Sequence, residues 1–161
     1  MTDNNRKIRF LAMPGTIAEA FRKGGADANG RSPERMVSDG SGFPCRHCLS
    51  DIPDGKSMLL LSWRPFDGRN AYAESGPVFL CEHTCEQPAE PAAIPPVIAT
   101  RQHFMIRGYD REERIVEGSG CLVQTADLAQ TAETMLQDGR IAAVHVRSGT
   151  NTCYICRIER C

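Results

Sequence analysis

Three close pairs of cysteines constrain this chain more than any other feature. Cys45 and Cys48 flank Arg46-His47, Cys81 and Cys85 flank Glu82-His83-Thr84, and Cys153 and Cys156 flank Tyr154-Ile155. Cys121 and Cys161 stand apart and complete a total of eight. Two thiols spaced two to four residues apart let one short loop present both sulfurs, and a second pair closes a tetrahedral shell around zinc. In an oxidising compartment the same even number would read as a disulfide framework. Met1 to Lys7 is polar and charged, and no apolar signal-peptide core follows it. The expectation is therefore a cytoplasmic protein in which clustered thiols hold a metal or do redox chemistry.

Six sulfurs in three pairs exceed the need of one zinc ion. Cys153 and Cys156 fall in a predicted strand, where residues three apart point to opposite faces unless a bulge intervenes. Cys81 and Cys85 sit at a strand end, where the chain can curl around an ion. Cys48 borders a turn and can move toward them. The expected ligand set is Cys48, Cys81, Cys85 and Cys156, with Cys45 and Cys153 as substitutes. Zinc is the expected cofactor and an iron–sulfur cluster the lesser alternative. His47 and His83 lie inside the pairs, so a mixed shell is conceivable, but four thiolates would make a closed, structural site.

The hydrophobic pattern predicts an α+β fold with a largely antiparallel sheet and two or three helices, in one domain spanning 1–161. Ile8 to Ala12 reads as a first strand. Thr16 reads as the cap of a short helix running to about Lys23. Gly24 to Pro44, rich in Gly, Asp, Asn, Ser and Pro, reads as a long loop. Lys56 to Trp63 and Pro77 to Cys81 read as strands, and Glu82 to Pro96 as a linker-like stretch. Val97 to Gly108 and Arg114 to Val123 read as two further strands. Thr125 opens the clearest helix, with Leu128, Ala132, Met135 and Leu136 on one face and Gly139 as the stop. Ile141 to Arg147 and Thr152 to Ile158 flank Ser148-Gly149-Thr150-Asn151, a hairpin signal.

Other chemistry finds little support. A net charge of −1 disfavours nucleic acid as a partner. The longest apolar run, Met58 to Leu61, is far too short to span a membrane. Asp54-Gly55-Lys56-Ser57 resembles the tail of a phosphate-binding loop, but Ser50 stands where the earlier glycine is required. His145 lies between Val144 and Val146 and so faces away from them. On that face it can join Arg147 along the strand and Tyr154, with Cys156 as a further candidate, across the hairpin. A ligand site is expected where Arg46, Glu74, His145, Arg147 and Arg157 converge, and its arginines favour an anionic ligand.

Several longer stretches occur together: Gly24-Gly25-Ala26-Asp27-Ala28-Asn29-Gly30 before Ser32-Pro33-Glu34-Arg35, Pro44-Cys45-Arg46-His47-Cys48-Leu49, Trp63-Arg64-Pro65-Phe66, Tyr72 to Leu80, Val144 to Ser148, and Asn151 to Ile158. In these the chain resembles the bacterial domain-of-unknown-function family numbered 1203, from the first strand to Arg160. The resemblance implies one compact unit and brings no defined activity or catalytic residue. Two functions remain open. One is a zinc-stabilised domain that binds a small polar or anionic ligand or a protein partner. The other is a thiol- or metal-dependent enzyme, redox or hydrolytic, for which Cys45 beside Arg46 and His47 is the candidate reactive thiol.

Overall fold

Alternating apolar and polar side chains build a five-stranded antiparallel sheet with two chemically distinct faces. The structure, a computed structural model, describes residues 7–161; Met1–Arg6, most of the polar amino-terminal stretch, lie outside the described residues. In chain order the elements are β1 (Ile8–Leu11), α1 (Gly15–Arg22), β2 (Glu34–Val37), β3 (Ser57–Trp63), β4 (Gly76–Cys81), α2 (Pro96–Ala99), β5 (His103–Tyr109), β6 (Cys121–Gln124), α3 (Thr125–Met135), β7 (Ala143–Ser148) and β8 (Tyr154–Arg160). The large sheet runs β1-β8-β7-β5-β6, and a separate three-stranded sheet runs β2-β3-β4. Every ladder is antiparallel, in keeping with the α+β expectation.

One face of the large sheet is apolar. Phe10, Phe104, Ile106, Val144, Val146 and Ile158 pack there with Leu128 and Ala132 of α3. Gly108 interrupts the row because Ile141 fills its place: a Cβ at Gly108 would lie 2.7 Å from Ile141 Cδ1. The period-2 pattern of β7 and the helical stripe of α3 are thus one core seen from two sides. The small sheet has its own core, in which Met58, Leu61, Val78 and Leu80 meet Ala18 of α1 and Met13.

Four expectations change. The stretch Gly24 to Pro44 contains β2, paired with β3 from Glu34↔Leu60 to Val37↔Ser57. All four β2 residues are exposed, so no alternation marks the strand; its ladder to β3 holds it. The strand expected over Val97 to Gly108 begins only at His103. Pro96 occupies the first turn of a short helix, and the adjacent Val97 and Ile98 are both buried, which a strand with one solvated face would not allow. The strand expected over Arg114 to Val123 is confined to Cys121–Gln124, because Gly118 adopts positive φ and breaks the run. The cap of α1 is Pro14, not Thr16, and no side chain caps the helix.

The hairpin at the carboxyl end is present, with a bulge. His145 pairs Arg157 and Val146 pairs Cys156, but Arg147 pairs Tyr154, so Ile155 is the extra residue. Ile155 and Cys156 both belong to the apolar core, while Tyr154 stays on the other face.

Candidate metal centre

The turn after Pro44 sets the first two sulfurs. Cys45 N–H donates to Ser50 O at 3.0 Å, and Leu49 N–H donates to Cys45 O at 3.0 Å. Leu49 takes φ of 54°, a left-handed conformation that costs a branched side chain energy. Its side chain has no solvent exposure and is anchored in the large sheet's core, which holds the turn in place. The turn then runs along the free edge of β4: Cys45 bridges Phe79, and Arg46 N–H donates to Phe79 O at 3.1 Å.

That edge brings Cys45 to Cys81, two residues beyond Phe79. Cys81 N–H donates to Cys45 Sγ at 3.3 Å. After β4 the chain curls back, and Cys85 Sγ comes within 3.8 Å of Cys45 Sγ. The ligand atoms of Cys45, Cys48, Cys81 and Cys85 all lie within 4.8 Å of one another. A zinc ion about 2.3 Å from each of four thiolates would set them roughly 3.8 Å apart at the corners of a tetrahedron. The residues present therefore fit a metal ion in both donor type and spacing. Arg22 of α1 braces the group: its guanidinium donates to Cys85 Sγ and to Cys81 O, each at 3.0 Å.

The four thiols are shifted in opposite directions. Hydrogen bonds with Cys48, Cys81 and Cys85 hold Cys45 far below the ordinary thiol range. The bond to Cys45 drives Cys48 and Cys81 far above it. At Cys85 the bond with Cys45 works upward, but those with Cys48 and Cys81 outweigh it and the thiol shifts down. The histidines inside the pairs stay out of the group. His47 Nδ1 donates to Met13 O at 2.7 Å, and His83 is exposed.

The structure thus gathers Cys48, Cys81 and Cys85 with Cys45 rather than Cys156. Its pairing with Val146 turns Cys156 into the large sheet's core, where it has no solvent exposure and burial pushes its thiol up to about 12. Cys153 lies beside a cavity lined by Trp63, Glu74, Arg147 and Tyr154, also apart from the four. The signal for Cys45 was its own spacing to Cys48. What the sequence does not display is the parallel bridge that lays this turn along β4.

Of the expected ligand residues, Glu74, His145, Arg147 and Arg157 meet on the polar face of the large sheet. Arg46 does not join them. It is 2% exposed and crosses between the sheets, donating through Nε to Tyr154 O at 2.7 Å and through one terminal nitrogen to Pro44 O at 2.6 Å. Burial lowers its pKa to about 10. Arg107 and Phe66, not singled out from sequence, do belong to the polar face. Arg107 is the register partner of His145, and Phe66 stacks on that ring with centroids 5.0 Å apart. Only the strand register, which brings Arg107 opposite His145, marks it.

Fold and cysteine group define an α+β protein of the cysteine-clustered kind, with a four-sulfur arrangement able to hold a metal ion. Residues 42–160 match the family model described as "Protein of unknown function (DUF1203)". The chain belongs to that family. The match spans all four cysteines and the polar sheet face, whereas the Gly24–Gly30 and Ser32–Arg35 stretches precede it. No curated protein and no solved structure matches the chain. No helix among the described residues is long and apolar enough to cross a membrane.

Proposed function

We propose that the chain is a single cytoplasmic, zinc-stabilised binding domain whose metal is structural and whose ligand is small and anionic. The observation that carries the zinc assignment is the four-sulfur group, with neither histidine nor carboxylate among its members. A shell of four thiolates leaves no open position for water, so it contributes folding energy rather than a reactive hydroxide. Soft thiolates select zinc over harder cations. The binding reading is supported by the convergence of Glu74, His145, Arg147 and Arg157 on one face. A reactive thiol at Cys45 fits the geometry poorly, because Cys45 has no solvent-exposed surface.

Metal analysis of protein purified under reducing, chelator-free conditions tests this reading. One zinc per chain is expected, retained in Cys156→Ser and lost in Cys45→Ser. Protein clean of both zinc and iron would overturn it. Brown colour would point instead to an iron–sulfur cluster.

A further inference from the structure

The polar face of the large sheet concentrates cations around one enclosed histidine. Arg157 of β8, His145 of β7 and Arg107 of β5 are direct register partners in one row across three strands. Arg147 lies two residues along β7 on the same face. Like charges set side by side on neighbouring strands repel, so a neutral ring between them lowers the cost. His145 has no solvent exposure, and neither of its ring nitrogens has a hydrogen-bond partner among the described residues. Burial foremost, then Arg157, Arg147 and Arg107, bring its pKa down to about 3. The ring packs against Phe66, Tyr109 and Tyr154, but a polar ring enclosed in this way without hydrogen-bond partners costs free energy.

The β3–β4 loop lies across this face. Phe66 covers the His145 ring, and Glu74 supplies a carboxylate to two guanidiniums, at 2.5 Å from Arg107 and 3.3 Å from Arg147. The exposures are unequal: the Glu74 side chain is 46% exposed, those of Arg107 and Arg147 only 20% and 14%. Both arginines are otherwise fixed, Arg107 by Tyr109 Oη and Arg147 by Thr152 O. A shielded, pre-oriented pair of forks is thus held by a carboxylate that solvent already reaches. Space flanks the loop on both sides. A cavity of about 210 Å³ is bounded by Trp63, Glu74, Arg147 and Tyr154, and another of about 570 Å³ by Arg64, Phe66, Tyr154 and Arg157. Arg64 itself buries an unpartnered Nε.

We infer that Arg107 and Arg147 form an oxyanion-binding site for a small carboxylate or phosphate ligand, and that Glu74 is its resident placeholder. The ligand's anion takes the position of the Glu74 carboxylate, with its body in the smaller cavity against Trp63 and Tyr154. Withdrawal of the loop that carries Glu74 and Phe66 uncovers His145 beside it. Paired arginine forks match the planar geometry of a carboxylate or the oxygens of a phosphate. This inference names the ligand class and place of the binding reading above and rests on it; it does not depend on the identity of the metal.

Inorganic phosphate and succinate, titrated separately at constant ionic strength into isotopically labelled protein, test it through the Nε–Hε signals of Arg107 and Arg147. Glu74→Gln is expected to bind at least one probe saturably and about five- to tenfold more tightly than wild type, because a half-exposed ion pair no longer competes. Which probe binds assigns the anion. Adding Arg147→Lys, which keeps charge but removes the fork, is expected to weaken that binding severalfold with metal content unchanged. No saturable shift in Glu74→Gln with either probe, or equal binding with and without the Arg147 fork, would overturn the site. Saturable binding in protein that holds no zinc would leave this site standing and remove the zinc assignment alone.

Discussion

The five-stranded sheet and the three-stranded sheet reach order from different material. The large sheet draws core residues from all of its strands and from α3. In the small sheet β2 contributes no buried residue, so β3, β4, α1 and the cysteine turn carry the core between them. Burial of branched side chains, each stabilising by roughly 1.5–3 kcal/mol, is what the large sheet has in surplus and the small one lacks. The four cysteines gather at the end of the poorer sheet. Where apolar area runs short, small folds commonly add a cross-link or a metal, and the proposed metal would act at that place.

The comparison breaks most sharply on removal of the proposed metal. Structural zinc contributes on the order of 10 kcal/mol in small zinc domains. Cys45→Ser, or chelation of the wild type, is therefore expected to abolish slow amide exchange in Met58–Leu61 while Val144, Val146 and Ile158 stay protected. Simultaneous loss in both sheets would show that they do not differ as argued. The converse change attacks the richer core: Ile106→Ala should cost about 3–4 kcal/mol in denaturant unfolding and leave zinc content intact.

Arg46→Met tests how the two regions are joined. It leaves the carbonyls of Tyr154 and Pro44 without their donor, and a loss of roughly 2–3 kcal/mol is expected. Coincident unfolding of the two sheets in wild type but not in this variant, followed by site-specific exchange, would identify Arg46 as the coupling.

The smallest effect concerns acid. The groups facing His145 are Arg107, Arg147, Arg157, Tyr109 and Tyr154, with Glu74 and Glu159 on the arginines. Its folded pKa of about 3 lies below the unfolded value of 6.5, so between these the unfolded chain holds more protons. Stability attributable to the neutral ring is complete above pH 6.5 and falls as the pH drops toward 3. Against His145→Phe, the wild type should lose about 2 kcal/mol more on going from pH 7 to pH 5. Parallel pH profiles for the two proteins would refute the enclosed neutral histidine.

Much of the large sheet was legible because each element carried its own periodicity. Val144 and Val146 announce a face, and Leu128 and Ala132 announce a helix. β2 was not legible, since Glu34 to Val37 bury nothing and exist as a strand only through the ladder to β3. The site was legible to the level of residue type. Three of the four cysteines follow from spacing and strand ends, but the choice between Cys45 and Cys156 turns on two non-local facts. One is the bridge from Cys45 to Phe79, and the other is the register that sets Cys156 opposite Val146 on the core face. The polar face followed the same rule. His145 with Arg147 was visible along one strand, while Arg107 enters through pairing across 38 residues of chain.

The pairing of β1 with β8 orders events during synthesis. Ile8 lies opposite Arg160, so the large sheet cannot close until the ribosome has passed that residue. Residues 34–85, which hold the whole small sheet and all four clustered cysteines, leave the ribosome long before β5, β7 and β8 exist. The four cysteines therefore leave the ribosome before the core that anchors Leu49 and holds their turn, so the group is completed only once the large sheet closes.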